Sequence, residues 1–329
     1  MKIFEIGKIA DKYIIKVFGK KIFSLVVNFK YKRFYKKRFK GLTKEEARYI
    51  LETQFYRSLG YKLNLDNPQT FNEKIQWYKL NYRDPLMVKC ADKVGVREYV
   101  KEKIGEQYLV PIIGVYDSVD DIDFENLPNK FVAKVNWGSG QNIIVTDKSK
   151  LDIAEAKVKL KNWMQPKNNH YYRFLEWVYK DIAPKIIIEE FIESTEDLID
   201  YKFYCFNGKV KYLLVCGNRN TDKYFDFYDE NLNFLPFTNG ARNSGKPIVI
   251  PKEFEKMKSS AKILSEGFPH VRVDFYESPE GQPLLGEMTF YTGNGLDPFD
   301  PIEWDYKLGE KLDLKEEINS VIGKIYEDF

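Results

Sequence analysis

Histidine is nearly missing from this 329-residue chain, which holds only His170 and His270. So few imidazoles leave little room for chemistry run by histidine bases, and they favour catalysis by positioning and fixed charge. Cysteine is scarce too: Cys90, Cys205 and Cys216 are odd in number and show no CxxC spacing. That argues against a disulfide scaffold or a zinc site and for a reducing compartment. Lysines interrupt every apolar run, and the longest near the start, "IFSLVV", is far short of the ~20 residues a membrane span needs. No signal peptide is evident, so secretion is not expected. GxxxxGK[ST] is absent, "GSGQNI" lacks the third glycine of a dinucleotide fingerprint, and no GxSxG elbow occurs.

What is present reads as a soluble globular protein, with 43% hydrophobic and 31% charged residues. Its length suggests two or three subdomains. Charge is unevenly placed. Residues 1–40 hold 13 Lys+Arg against Glu5 and Asp11, a local +11, so the rest sums to 3 − 11 = −8. Within "IFEIGKIADKYIIKVFGKKIF", Ile3, Ile6, Ala10, Tyr13, Ile14 and Val17 recur at helical spacing. Lys8, Lys12, Lys16 and Lys20 fall four apart. The pattern predicts a basic amphipathic helix suited to an anionic membrane surface, with nucleic acid as the rival target and a solvated basic face as the plain alternative.

Further along, "LTKEEARYILETQFYRSLG" predicts a helix capped by Thr43 and stopped at Gly60. "NPQTFNEKIQWYKL" begins another, and "KCADKVGVREYVKEKIG" reads as helix up to Gly105. From "YLVPIIGVY" onward the composition is that of strands and turns. A hairpin is expected at 131–145, helices at 151–164 and around 171–180, and strands at 185–192, 201–206 and 210–217.

Four stretches carry chemistry. "FVAKVNWGSGQNIIV" places Lys134 in an apolar strand and follows it with Gly138-Ser139-Gly140, whose backbone amides lie bare. An anion meeting both explains the pair; a snorkelling lysine on a surface hairpin is the plain reading. In "PKIIIEEFIES", apolar neighbours around Glu189 and Glu190 form a ledge whose backbone could pair with a base edge. "DYKFYCFNGKVKYLLV" is a hairpin turning at Asn207-Gly208, with Asp200 and Lys202 on one face. In "HVRVDFYESPEGQPLLGEMTF", alternation puts Arg272 and Asp274 on one face, and the returning strand adds Glu287 and Thr289. Two carboxylates and a hydroxyl are hard oxygen donors that suit Mg²⁺, and an arginine beside them would neutralise a transferring phosphoryl group.

The order of a lysine strand with a glycine loop, Glu-Glu-Phe-Ile, acid-x-Lys, Arg-x-Asp and a later Glu resembles the ATP-grasp superfamily. Within it, "TFNEKIQW", "DKVGVREYV", "DYKFYCFNGK" and "GEMTFYTGNG" resemble the TupA-like, teichuronopeptide-biosynthesis branch, over roughly residues 60–310. The resemblance implies an α+β, ATP-grasp fold holding a nucleotide between two α+β subdomains. The expected divisions are a helical basic region at 1–60, an N-terminal subdomain at 61–125, a central one at 126–192 and a metal-bearing one at 193–329. It further implies that Lys134 meets the α/β-phosphates of ATP and that Gly138, Ser139 and Gly140 close over the β/γ end. Glu189, Glu190, Phe191 and Ile192 would form the adenine hinge, and Asp200 would face the ribose and Lys202 the phosphates. By the same resemblance Asp274 and Glu287, with Thr289, would hold Mg²⁺, Glu287 bridging two ions, and Arg272 would steady the γ-phosphoryl group. Thr289 stands where most of the superfamily has Asn, and Trp137 where related chains often have His.

The activity so implied is a carboxylate–amine ligase joining an amino acid to a uronic acid of a capsular or cell-wall glycan, free or lipid-linked. It would work in the cytoplasm, peripheral on the inner face of the membrane through residues 1–40. A sugar-nucleotide glycosyltransferase using Asp121-Ile122-Asp123 as its metal motif is the alternative, and a surface adaptor with a decayed ATP site a third.

Overall fold

The computed structural model describes residues 42–193, 198–218 and 221–314, and the backbone alone at 4–9, 12–17 and 20–21. The chain packs as two units, residues 1–47 with 328–329 and residues 48–327.

In the first unit, β1 (Phe4–Ile9), β2 (Lys12–Val17) and β3 (Lys20–Lys21) pair antiparallel in that order. Strands therefore replace the expected amphipathic helix. A lysine every fourth residue fits a period of two as well as one of 3.6, and the β-branched Ile6, Ile9, Ile14, Ile15 and Val17 favour the strand. The basic run at 30–40 lies outside the described residues.

Helices follow. α1 (Lys44–Leu59) starts on Thr43, whose hydroxyl accepts the Glu46 N–H at 3.2 Å, and ends at Gly60 with φ +82°. α2 (Phe71–Asn81) opens on a capping box in which Thr70 accepts from the Glu73 N–H and Glu73 reaches back to the Thr70 N–H. The continuous helix expected across "KCADKVGVREYVKEKIG" is instead α3 (Pro85–Ala91) and α4 (Val96–Lys103). Between them Asp92 accepts the Val94 N–H at 2.9 Å, a local turn that competes with helix and leaves Lys93 in the break.

Two antiparallel sheets carry the site. The smaller has the order β4-β7-β5-β6, from β4 (Ile112–Tyr116), β5 (Phe131–Val135), β6 (Asn142–Val145) and β7 (Ile186–Glu190). Between β6 and β7 lie α5 (Ile153–Trp163) and α6 (His170–Phe174). The helix expected around 171–180 breaks because Leu175 takes a left-handed φ of 57°. The larger sheet has the order β11-β10-β9-β8-β13-β14. It uses β8 (Asp200–Phe206), β9 (Lys209–Gly217), β10 (Tyr224–Asp229), β11 (Phe234–Leu235), and, after β12 (Thr238–Asn239) and α7 (Phe254–Leu264), β13 (His270–Glu277) and β14 (Pro283–Thr289). As the sequence predicts, β8 and β9 turn at Asn207-Gly208, with φ 47° and 67°.

The larger sheet has two distinct faces. Phe203 packs on Phe254 with ring centroids 5.8 Å apart, and the Cys205 thiol reaches the Ala261 carbonyl, so α7 covers that side. Alternation sends Lys202, Tyr204 and Phe206 to the opposite face, where Phe71 of α2 meets Tyr204, Phe206 and His270. α2 is also tied to α8 (Glu303–Gly309), which follows β15 (Phe299–Asp300). The Asp305 carboxylate accepts the Asn72 backbone N–H at 2.9 Å and its side-chain amide at 3.0 Å. Burial pushes the Asp305 carboxyl up to about 6, although the Asn72 and Tyr61 hydrogen bonds oppose the rise. Gly309 sits so close to the start of α2 that a Cβ would lie 2.3 Å from the Gln69 carbonyl oxygen.

Candidate active site

Strand register assembles the centre. Asp274 lies opposite Lys202 on one side and Glu287 on the other, and Arg272 lies opposite Tyr204 and Thr289. Two adjacent rows across β8, β13 and β14 thus project onto one face. The β-bulge after Asp274 falls where the row ends.

Arg272 donates through Nε and Nη2 to the two Asp274 oxygens, each at 2.7 Å. Its Nη2 also reaches Glu287 Oε1 and Thr289 Oγ1, both at 3.2 Å. Thr289 in turn donates to Glu287 Oε1 at 3.0 Å. Lys202 bonds Asp274 and stands 3.4 Å from Asp200. Lys202, expected at the phosphates, is therefore held between two buried aspartates.

From the break between α3 and α4, Lys93 comes within 3.9 Å of Glu287 Oε2. The carboxylates of Asp200, Asp274 and Glu287 thus face the cations Lys93, Lys202 and Arg272 one for one, which is what makes the burial of Asp200 and Asp274 tolerable. Burial alone would raise the Glu287 carboxyl, but Lys93, Lys202, Arg272 and the Thr289 hydroxyl hold it down to about 2. Burial lowers the Lys93 ammonium, and Glu287 and Glu189 oppose that.

The smaller sheet faces Lys93 from the other side. Lys134 Nζ lies 2.5 Å from Glu189 Oε2, a diagonal pair across β5 and β7, and Arg97 Nη1 stands 3.9 Å from Glu189 Oε1. Lys134, expected to face phosphate, here pairs with Glu189, and the Glu189 side chain points into the site. The Glu190 N–H is taken by the Pro111 carbonyl at 3.0 Å, and Phe191 and Ile192, expected in the hinge, lie beyond the end of β7.

In the glycine loop, Gly138 and Gly140 have φ of 73° and 71°, backbone values that glycine adopts freely. Lys93 donates to the Gly138 carbonyl at 2.8 Å. The Ser139 N–H donates to His170 Nε2 at 3.3 Å, and a Cβ on Gly138 would lie 2.8 Å from His170 Cδ2. The loop thus meets Lys93 and His170, from α6, while Trp137 is buried with its indole N–H on the Trp163 carbonyl at 3.2 Å. Sequence reasoning missed Lys93, Arg97 and His170. Asp92 before Lys93 and Gly95 after it were the available sign of a helix break.

The donor set suits a hard cation in a limited way. Both Asp274 oxygens are engaged by Arg272 and Lys202, whereas Glu287 Oε2 makes no hydrogen bond among the described residues and has Lys93 3.9 Å away. Among the described residues no group of three or more His, Cys, Asp or Glu could hold a metal. Protein oxygens would therefore supply part of an Mg²⁺ shell, phosphate and water the remainder, as that ion prefers. Asp123, of the alternative Asp-x-Asp motif, accepts instead from the Glu125 N–H at 3.2 Å and the Asn126 side chain at 2.6 Å, closing a surface turn.

No curated protein matches the chain. Among solved structures, the L-amino acid ligase from Bacillus licheniformis is 15% identical, with 76% of this chain and 56% of that one covered and a TM-score of 0.42. N5-carboxyaminoimidazole synthetase from Staphylococcus aureus, complexed with ADP, is 18% identical over 60% of this chain and 43% of that one, at a TM-score of 0.31. D-cycloserine synthetase is 17% identical over 70% and 72%, at 0.35. The chain spans about half the length of the first two. The sequence profile described as TupA-like ATP-grasp matches residues 73–313, a stretch that holds the lysine strand, the glycine loop and the Arg-Asp-Glu-Thr rows alike, and the chain belongs to that family.

Proposed function

We propose that the protein is an ATP-dependent carboxylate–amine ligase that works through an acyl phosphate. A substrate carboxylate oxygen attacks the γ-phosphorus of ATP and ADP leaves. An amine nitrogen then attacks the acyl carbon, phosphate departs with that carboxylate oxygen, and the amine proton is released. ATP is needed because a carboxylate is a poor electrophile. In this reading Lys134, Lys93 and the loop of Gly138, Ser139 and Gly140 bind the phosphates, and Asp200 faces the ribose. Glu189 to Ile192 form the adenine hinge, with Phe191 and Ile192 supplying the backbone groups. Arg272 and Lys202 disperse charge on the transferring group. Mg²⁺ held by Glu287, with Asp274 and Thr289, would add charge neutralisation there when bound.

The observation that carries this reading is the row of buried Lys202, buried Asp274 and half-buried Glu287, crossed by Arg272 and approached by Lys93, whose charges balance once Asp200 is counted. Such a row offers fixed charge, with its carboxylates already engaged by cations, which suits phosphoryl transfer by positioning. The substrates we propose are an amino acid and a uronic acid of a capsular or cell-wall glycan, reached at the inner face of the cytoplasmic membrane, to which the +11 charge of residues 1–40 is suited. Among the described residues no helix is long and apolar enough to cross a membrane.

The test is a screen for ADP and phosphate release with amino acids paired against uronic-acid glycosides. With ¹⁸O in the uronic carboxylate, one labelled oxygen is expected in the released phosphate. Turnover that forms AMP, or phosphate without label, contradicts the acyl phosphate.

A further inference from the structure

The Gly138–Ser139 peptide unit is gripped at both ends by side chains from outside its loop. Lys93 holds the carbonyl of Gly138 at 2.8 Å, and His170 Nε2 accepts the N–H of Ser139 at 3.3 Å. A backbone N–H can only donate, so Nε2 carries no proton and the imidazole proton sits on Nδ1. That proton is donated to Glu176 Oε2 at 3.2 Å. Glu176 is buried, at 5% exposure, and its charge makes Nε2 a better acceptor. Phe174 and Tyr179 fix the ring, with centroids 5.4 and 5.7 Å away.

A carboxylate-backed histidine is more than a solvent-facing turn needs, since water could satisfy a single loop amide. The loop is also where amides are scarce and valuable, because a phosphate seated there recruits the same donors. We propose that His170, oriented by Glu176, is a positioning residue that latches the glycine loop: it occupies the Ser139 N–H, and an entering phosphate must take that donor from it. The proposal rests on the nucleotide reading above. Lys93 gives the latch its second side, because a lysine drawn to phosphate lets go of the Gly138 carbonyl as His170 loses the Ser139 amide. The whole peptide unit is then free to turn about Gly138 ψ and Ser139 φ, and the missing Cβ at Gly138 eases that rotation.

The experiment follows the Ser139 amide by hydrogen exchange in the full chain without nucleotide, and ATP binding with Mg²⁺ by calorimetry. His170→Ala should speed exchange at Ser139 about tenfold. It should also tighten ATP binding by roughly two- to tenfold, the value of one exchanged hydrogen bond. His170→Gln, which retains an acceptor, should restore both readings toward wild type, and Glu176→Gln should fall between. Unchanged Ser139 exchange in a folded His170→Ala protein overturns the latch. So does faster exchange with weaker ATP binding, which would make His170 a support for phosphate binding and not a competitor. If the wild type binds no ATP, the nucleotide reading fails whatever Ser139 does; ATP binding with unchanged exchange refutes the latch alone.

Discussion

Glu287 is the residue at which the separate charges of the site meet. It touches Arg272 and Thr289 through one oxygen and has Lys93 beside the other. Glu287→Gln keeps the shape and removes the charge, so turnover should fall roughly 10²–10³-fold, a typical loss for one catalytic electrostatic contact. Its fold should survive, as read by circular dichroism. The same residue predicts an acid effect. A carboxyl held at about 2 contributes stability that is fully present above its unfolded value of ~4.3 and lost as pH falls toward about 2. The wild type should therefore lose more melting temperature than Glu287→Gln between about pH 4.5 and 2, and equal losses would show that Glu287 is not held ionised. Arg272, Asp274, Glu287 and Thr289 were legible in the sequence because a period of two decides which strand residues share a face. Lys93 and His170 were not, since each acts from a helix break or a helix start across the chain from its partner, and no local periodicity encodes such a meeting.

At the scale of elements, the docking of α2 onto α8 turns on Asp305, which is buried at 1% exposure. A carboxyl raised to about 6 contributes stability that is complete below its unfolded value of ~3.9 and is lost as pH rises through about 6. Asp305→Asn keeps an acceptor for Asn72 and cannot ionise. Thermal melts of the wild type should thus decline between about pH 4 and 6 relative to Asp305→Asn, by an amount on the order of 3 kcal/mol. A variant that declines in parallel with the wild type would refute the assignment. Elements themselves were legible where a cap or turn spoke locally: Thr70 with Glu73 at α2, and Asn207-Gly208 between β8 and β9. They were misread where one pattern served two structures. Lysines four apart at the N-terminus suit strand and helix alike, and only φ at Leu175 reveals that the helix after residue 170 stops after one turn.

Across the whole molecule, charge divides the chain in a way that bears on where it works. Residues 1–40 carry a local +11 and the remainder sums to −8. Near an anionic leaflet each basic residue is worth ~1 kcal/mol, an attraction that salt weakens. Vesicles containing anionic lipid should therefore sediment the intact chain at moderate salt and release a truncation that begins at Leu42. Equal binding of both, or a preference for nucleic acid over vesicles, would contradict the tether.

Within residues 48–327 the two antiparallel sheets meet around Lys93, which joins the glycine loop of one to Glu287 of the other. If these parts form one nucleotide site, removing that lysine should loosen the nucleotide while both sheets stay folded. Calorimetry of ATP with Mg²⁺ on the wild type and on Lys93→Ala tests this most directly. Saturable ATP binding by the wild type, weakened roughly tenfold or more in a folded Lys93→Ala, is the predicted result, the loss expected of a charge-assisted contact. Absence of ATP binding by the wild type, or binding of a UDP-sugar in its place, would contradict the account.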